Sequence, residues 1–295
     1  MKDTSVNHEE SRVRDYISLL KPRVMSLVVF TGFAGLYLAP GKINPVIAAI
    51  AILCIAIGSG AAGAINMWYD KDIDKIMKRT QTRPIPAKRV NPESALEFGV
   101  CMSFVSVFLM GVAVNYLSAF ILLIAILFYV FIYTIWLKRN TPQNIVIGGA
   151  AGSFPPMIGW AAVTNSISLE AIILFSIIFM WTPPHFWALS LYKSDDYKEA
   201  GVPMLSVTHG ELVTKRHIFV YSVLMVLTAS LPYFIKMSSW VYLTASLILG
   251  IKFIYDALRL LVSRNIILAP KLFGYSILYL FLIFTFLILD KIFFI

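Results

Sequence analysis

Long runs of residues without a charged side chain constrain this chain more than any other feature of its sequence. A bilayer crossing takes about 20 consecutive apolar residues, and a spanning segment in lipid must satisfy its own backbone hydrogen bonds. The uncharged runs cover residues 24–41, 43–69, 98–137, 140–169, 171–192, 218–235, 237–251 and 272–289. The run at 98–137 is long enough for two crossings and has a natural break at 115–118. The pattern therefore predicts an all-α, polytopic membrane protein with nine transmembrane helices.

Composition and charge placement support that class and argue against a nucleic-acid partner. Hydrophobic residues make up 59% of the 295 residues and charged residues 14%, outside the usual range of soluble domains. A net charge of +9 would suit a nucleic-acid binder, but 21 of the 25 Lys and Arg residues fall in alternate loops, against Lys42, Lys236 and Lys291 in the others. By the positive-inside rule the N-terminus is cytoplasmic, and an odd number of crossings puts the C-terminus outside.

The segment before the first hydrophobic run predicts an arm rather than a targeting signal. Residues 1–20 lack an apolar core and include four acidic side chains, unlike a cleaved signal or a transit peptide. We therefore expect residues 1–23 to form a cytoplasmic N-terminal arm and residues 24–295 to form a single transmembrane domain. The pattern fits a prokaryotic cell (plasma) membrane best.

A first acidic cluster continues the second predicted helix past its membrane end. Asn66, Asp70 and Asp74 are spaced by four residues and share one helix face, whereas Asp72 points to the opposite side. Carboxylates at that spacing repel each other, and at a helix C-terminus they also oppose the macrodipole. The arrangement therefore predicts a bound cation, and Mg²⁺ is the obvious candidate.

A second acidic cluster lies four predicted helices later, on the same membrane face. Asp195 and Glu199 are four residues apart, as are Tyr192 and Asp196. Mg²⁺ prefers oxygen ligands from one or two carboxylates together with substrate phosphates and water. The two clusters therefore predict a site that closes around a diphosphate, and the alternative is that these acids only solvate loop ends. The expected metal ligands are Asp70, Asp74, Asp195 and Asp196.

Basic and intramembrane polar residues add candidates for substrate binding. Among the loop cations we favour Arg83, Lys138 and Arg139 as diphosphate contacts, although positive-inside topology alone explains basic loops. His185 lies in a hydrophobic segment with two prolines, which we expect to break the helix beside a substrate chamber. Its ring is expected either to orient a substrate or to form an interhelical hydrogen bond.

These motifs resemble a known family. The stripe Asn66, Asp70 and Asp74, the Arg83-Pro84 pair and the second acidic loop are similar to those of the UbiA-type intramembrane prenyltransferases. Longer strings resemble the protoheme IX farnesyltransferase, or haem O synthase, branch of that superfamily. They are residues 21–24, 147–152 with the prolines at 155 and 156, 182–187, 195–197 and 200–204.

The resemblance implies a fold, substrates and partners. It implies nine helices around a central chamber, farnesyl diphosphate and haem B as substrates, Mg²⁺ as the cofactor and haem O as the product. It also places haem A synthase or terminal oxidase assembly among the expected partners. By the same resemblance Arg139 matches a basic position after the fourth helix and Asp196 matches the last acid of the second motif. Tyr192 stands where many members have an acid, so we expect either that Asp195 or Glu199 replaces it or that one metal is held more loosely.

Three other functions remain open at this point. A prenyltransferase of the same superfamily with an aromatic or quinone-precursor acceptor would share every acidic motif. A secondary transporter would also have many helices with breaks, but its polar groups would lie at mid-bilayer rather than at one interface. A non-catalytic haem-handling protein would leave the acidic stripe unexplained.

Overall fold

The structure is a computed structural model that describes residues 12–263 and 265–294. Every regular element within these residues is helical, which confirms the all-α prediction. Residues 1–11, about half of the predicted N-terminal arm, lie outside the described residues.

The helices follow one another through short connections. In chain order they are α1 Val13–Leu19, α2 Pro22–Leu38, α3 Pro45–Tyr69, α4 Lys71–Ile76, α5 Pro92–Ala113, α6 Tyr116–Leu127, a π-helical segment Phe128–Leu137, α7 Lys138–Asn140, α8 Asn144–Gly148, α9 Ala150–Thr164, α10 Leu169–Tyr192, α11 Ser194–Glu199, α12 Leu205–Thr208, α13 Gly210–Phe234, α14 Trp240–Val262 and α15 Leu268–Phe293.

The chain is a multi-pass membrane protein. Within the described residues seven helices are long and apolar enough to cross a bilayer, and the bent pair α1 and α2 raises the number to eight. Large apolar side chains on these helices face outward, as a lipid-facing surface requires: Phe104 is 69% exposed and Leu227 is 60% exposed. The predicted count of nine is not confirmed. Helix α2 alone has 17 residues, and α14, which includes Lys252, Asp256 and Arg259, is not among the seven.

Helix starts follow the capping residues in the sequence. Asn44 and Asn91 accept hydrogen bonds from the backbone N–H groups two residues later, at 2.8 and 2.9 Å, and each is followed by proline at the first helical position. Asn115 caps α6 by accepting from the N–H of Ser118 at 2.8 Å. The predicted break at 115–118 is therefore confirmed, because α5 ends at Ala113 and α6 begins at Tyr116.

Two helices approach each other through glycine. A Cβ added at Gly35 of α2 would overlap the carbonyl group of Pro156 in α9, and one at Gly159 would overlap the carbonyl oxygen of Gly32. Small residues allow this backbone contact between membrane helices.

The prolines do not interrupt the helices, contrary to the prediction. Helix α9 continues through Pro155 and Pro156, and α10 continues through Pro183 and Pro184. All four prolines are buried. A missing N–H donor costs less where neighbouring helices enclose the backbone, and α10 packs against α9, α13 and α15.

Candidate functional site

The first acidic cluster forms where α3 ends and α4 begins. Asn66, Asp70 and Asp74 are buried, with exposures of 4%, 0% and 1%. The side chain of Asp72 is 61% exposed, so the helical spacing predicted the two faces correctly. The N–H of Asp74 donates to the carbonyl oxygen of Asp70 at 2.8 Å. Helix α4 therefore extends the stripe of α3.

Asn66 connects three parts of the chain through one amide. Its Nδ2 donates to Asp70 Oδ2 at 2.7 Å and to Thr134 Oγ1 at 3.2 Å. Its Oδ1 accepts from Lys21 Nζ at 3.1 Å. The amide group therefore orients Asp70 and ties α3 to the α1–α2 junction and to the π-helical segment.

The π-helical segment positions the basic side of the site. Thr134 Oγ1 donates to the carbonyl oxygen of Tyr129, five residues earlier, at 2.8 Å. Lys138 and Arg139 follow this segment directly. A Cβ added at Gly148 would overlap the ring of Tyr133, so glycine permits the close approach of α8. Single π turns inside α-helices occur frequently at functional sites.

The three favoured cations each contact a carboxylate of the first cluster. Lys138 Nζ pairs with Asp70 Oδ2, and Arg83 Nη1 lies 2.6 Å from Asp74 Oδ2. Arg139 binds both oxygens of Asp72, at 2.8 and 2.7 Å, and its Nη2 also lies 3.5 Å from Asp70 Oδ1. Charge-assisted bonds to the buried carboxylates Asp70 and Asp74 belong to the strong class of hydrogen bond, whereas solvent screens the pair with exposed Asp72. The three cations are thus paired with the carboxylates of the first cluster in the structure.

Arg139 also fixes the charge of the exposed carboxylate. Its guanidinium hydrogen bonds lower the pKa of Asp72 from 3.8 to about 2. Asp72 is therefore ionised at neutral pH and holds Arg139 beside the buried stripe.

The second acidic cluster lies on α11, directly after α10. Asp196 is buried, with 8% exposure, whereas Asp195 and Glu199 are exposed. Three crossing segments separate α3 from α10, so both helices end on the same face of the protein. Among the described residues no hydrogen bond or ion pair joins the two clusters.

Two buried carboxylate oxygens accept no hydrogen bond within the described residues. They are Asp70 Oδ1, which lies 3.5 Å from Arg139 Nη2, and Asp196 Oδ2. Within the described part of the chain no three His, Cys, Asp or Glu side chains converge on one point. The oxygens of Asp70 and Asp196 that accept no hydrogen bond fit Mg²⁺, because that ion binds through one or two carboxylates together with water and substrate phosphates.

Among the described residues neither Tyr192 nor His185 forms a hydrogen bond with a carboxylate. The Tyr192 ring is half-buried, with its centroid 6.2 Å from that of Phe273. His185 is buried between the rings of Trp181 and Phe273, at 4.3 and 4.6 Å, and its Nδ1 lies 2.6 Å from Ser276 Oγ. This geometry matches the interhelical hydrogen bond, and the substrate contacts of both residues remain predictions.

Lys21 is a member of the site that residue-by-residue reasoning missed. It adopts a left-handed conformation, φ 52°, at the 55° bend between α1 and α2. That bend brings its ammonium group to Asn66. The sequence signal is the Lys-Pro pair within residues 21–24, which the family resemblance includes but to which we assigned no contact in the site.

Comparisons with known proteins identify the family of the chain. The profile described as "UbiA prenyltransferase family" matches residues 28–287. The chain is 58% identical over 286 residues to a protein named protoheme IX farnesyltransferase from Rhizobium etli (strain CIAT 652), covering 96% of this chain and 90% of that one. It is 55% identical to a protein of the same name from Rickettsia bellii (strain OSU 85-389), covering 97% and 95%.

Solved structures show the same fold. A digeranylgeranylglyceryl phosphate synthase superposes with a TM-score of 0.79 at 21% identity, covering 95% of this chain and 98% of that one. A UbiA homolog from Archaeoglobus fulgidus bound to DMAPP and Mg²⁺ superposes with a TM-score of 0.62 at 16% identity, covering 92% and 99%.

Proposed function

The chain belongs to the UbiA prenyltransferase family, and we propose that it transfers the farnesyl group of farnesyl diphosphate to the vinyl group of haem B (protohaem IX), forming haem O. The observation that carries the proposal is 58% identity across 96% of the chain to a protein named protoheme IX farnesyltransferase. The buried stripe of Asn66, Asp70 and Asp74 supports the diphosphate half of the reaction.

The reaction balances without a redox partner. The bond between C1 and oxygen of farnesyl diphosphate breaks, and diphosphate leaves. The resulting allylic cation bonds to the terminal vinyl carbon of haem. Water then adds to the carbon beside the porphyrin ring and loses a proton, which leaves a hydroxyethylfarnesyl side chain.

In this proposal the two acidic clusters bind the diphosphate leaving group through Mg²⁺. Asp70, Asp74, Asp195 and Asp196 would hold Mg²⁺, supported by the buried oxygens of Asp70 and Asp196 that accept no hydrogen bond among the described residues. When bound, Mg²⁺ supplies positive charge against the charge that develops on diphosphate. Asn66 keeps Asp70 in place through its 2.7 Å hydrogen bond.

The basic residues exchange partners in this proposal. Lys138, Arg83 and Arg139 pair with carboxylates of the first cluster in the structure. When diphosphate and its cation arrive, the three cations turn to the phosphate oxygens, which Arg binds bidentately. His185 and Tyr192 would contribute to the apolar chamber that holds the prenyl chain and haem.

The proposal also includes the number of membrane crossings and the side of the membrane on which each terminus lies. Helices α2 and α14 would also cross the cell membrane, which gives nine crossings, a cytoplasmic N-terminus and an external C-terminus. The distribution of 25 Lys and Arg residues between alternate loops supports this orientation. Because the product is more apolar than haem B, we include transfer to a membrane partner, haem A synthase or terminal oxidase assembly.

Mass spectrometry of haem tests the proposal. The purified protein in detergent is incubated with haem B, farnesyl diphosphate and Mg²⁺, with and without a chelator. We expect haem to gain the mass of one farnesyl group plus one hydroxyl group, and the chelator to abolish the gain. Unmodified haem in a folded sample would overturn the acceptor assignment, and parallel prenylation of an aromatic acid would identify the alternative acceptor class.

A further inference from the structure

A charged pocket lies between α14 and α15, outside the site described above. Its volume is about 210 Å³, enough for a phosphate group. Two helix faces form it, because each helix contributes residues spaced by three, four or seven positions. The lining residues are Lys252, Asp256 and Arg259 of α14 with Leu268, Lys271, Leu272 and Tyr275 of α15.

The charges in this pocket do not balance. Lys252 Nζ pairs with Asp256 Oδ2 at 2.5 Å and lies 3.7 Å from the centroid of the Tyr275 ring. Among the described residues neither Arg259 nor Lys271 forms an ion pair, and both are exposed. Three cations therefore share one carboxylate, and two positive charges are left for an external anion.

The pocket opens on the same face of the protein as the acidic clusters. Lys215 Nζ, near the start of α13, donates to the carbonyl oxygen of Ser263 at 2.8 Å, so α14 ends where α13 begins. The surface around the pocket is apolar: Val262 is 78% exposed and Ile267 is 63% exposed. A cationic pocket with an apolar rim at a helix end is the arrangement expected at the headgroup level of a membrane.

We propose that this pocket binds the phosphate of an anionic phospholipid headgroup from the cytoplasmic leaflet. Arg259 and Lys271 contact the phosphate oxygens, and the Lys252–Asp256 pair closes the inner end of the pocket. Val262 and Ile267 contact the glycerol and the first carbons of the acyl chains. Free phosphate offers the same oxygens, but it would leave the apolar rim without a partner, so we assign the membrane source. This site is independent of the farnesyl transfer proposed above, and its assignment to the cytoplasmic leaflet rests on the topology proposed there.

Native mass spectrometry of the full-length protein in detergent tests the site with phosphatidylglycerol as the probe. The variant R259Q/K271Q removes both unpaired charges. The matched control R12Q/R14Q removes two exposed charges from the start of α1, on the same face but outside the pocket. We expect R259Q/K271Q to bind phosphatidylglycerol about tenfold more weakly or worse, since each cation near a membrane surface contributes measurably. The control should bind as the unmodified protein does.

Three outcomes would overturn the proposal. Binding of phosphatidylglycerol by R259Q/K271Q as tightly as by the unmodified protein would show that the pocket is not the site. Equal losses in both variants would show general charge attraction. Displacement of phosphatidylglycerol by inorganic phosphate at the same concentration would show a free-phosphate site. Because folding can fail in a double variant, the single variants R259Q and K271Q are measured as well, and each should show an intermediate loss.

Discussion

Asn66 illustrates why the first acidic motif begins with an amide. The side chain accepts from Lys21 and donates to Asp70 and Thr134 at the same time, and a carboxylate could only accept. Its position within the buried end of α3 leaves little water to replace a lost partner.

The first prediction concerns that amide. N66D places a second carboxylate four residues from Asp70 in a buried setting and removes both donors. We expect haem O formation to fall at least about tenfold, because a lost hydrogen bond to a charged group costs about 1.5–3 kcal/mol. The initial rate and its Mg²⁺ dependence are measured together. A rate equal to that of the unmodified protein would show that Asn66 does not orient Asp70.

The second prediction concerns pH. The pKa of Asp72 is lowered from 3.8 to about 2 by Arg139, so the carboxylate is stabilised in the folded state. Its contribution to stability is complete above pH about 4 and is lost as the pH falls through about 2. D72N should therefore leave the shape of the rate profile between pH 5 and 8 unchanged. A new inflection in that range would contradict the assigned ionisation.

Residue spacing predicted the acidic stripe of this site but not the contact between Lys21 and Asn66. The 3.6-residue period placed Asn66, Asp70 and Asp74 on a buried face and Asp72 outside. The contact between Lys21 and Asn66 spans 45 positions and depends on a bend with a left-handed residue. No local pattern encodes a contact at that separation.

At the scale of elements, the π-helical segment Phe128–Leu137 was not predictable from its sequence. It is a continuous apolar run without glycine or proline, and hydrophobic periodicity does not separate α from π turns over ten residues. The prolines misled in the other direction, since a proline signals a break only where its neighbours do not enclose the backbone.

The third prediction tests the packing of the π-helical segment. G148A would force a methyl group into the ring of Tyr133. We expect this overlap to lower the free energy of unfolding by about 1–3 kcal/mol. The rate of haem O formation should fall as well, because the segment positions Lys138 and Arg139. The matched control is G152A, where a Cβ meets no atom within 4 Å. Thermal unfolding in detergent compares them, and equal melting temperatures would contradict this account of Gly148.

At the scale of the whole molecule, charge bias and hydropathy predicted a helical membrane protein, and the structure confirms it. The number of crossings stays a prediction, because α14 combines apolar residues with Lys252, Asp256 and Arg259. Length and composition alone do not decide whether such a helix crosses the membrane.

Cysteine labelling tests whether α14 crosses the membrane. Two variants place a cysteine on either side of α14: K236C before the helix and N265C after it. A membrane-impermeant maleimide added to intact cells should label K236C. It should label N265C only after the cells are permeabilised. Labelling of both positions from outside would show that α14 does not cross, and the nine-helix topology would be wrong. The matched control is K88C in the first acidic loop, which should behave as N265C does.

The central claim is that the buried acidic stripe drives farnesyl transfer to haem, and one comparison tests it most directly. D70A and D72N are purified in detergent, checked for folding, and assayed by mass spectrometry for conversion of haem B to haem O with farnesyl diphosphate and Mg²⁺. We expect D70A to lose at least about 100-fold in rate, and D72N to stay within about tenfold because an exposed ion pair contributes little. Full activity in folded D70A would contradict the account.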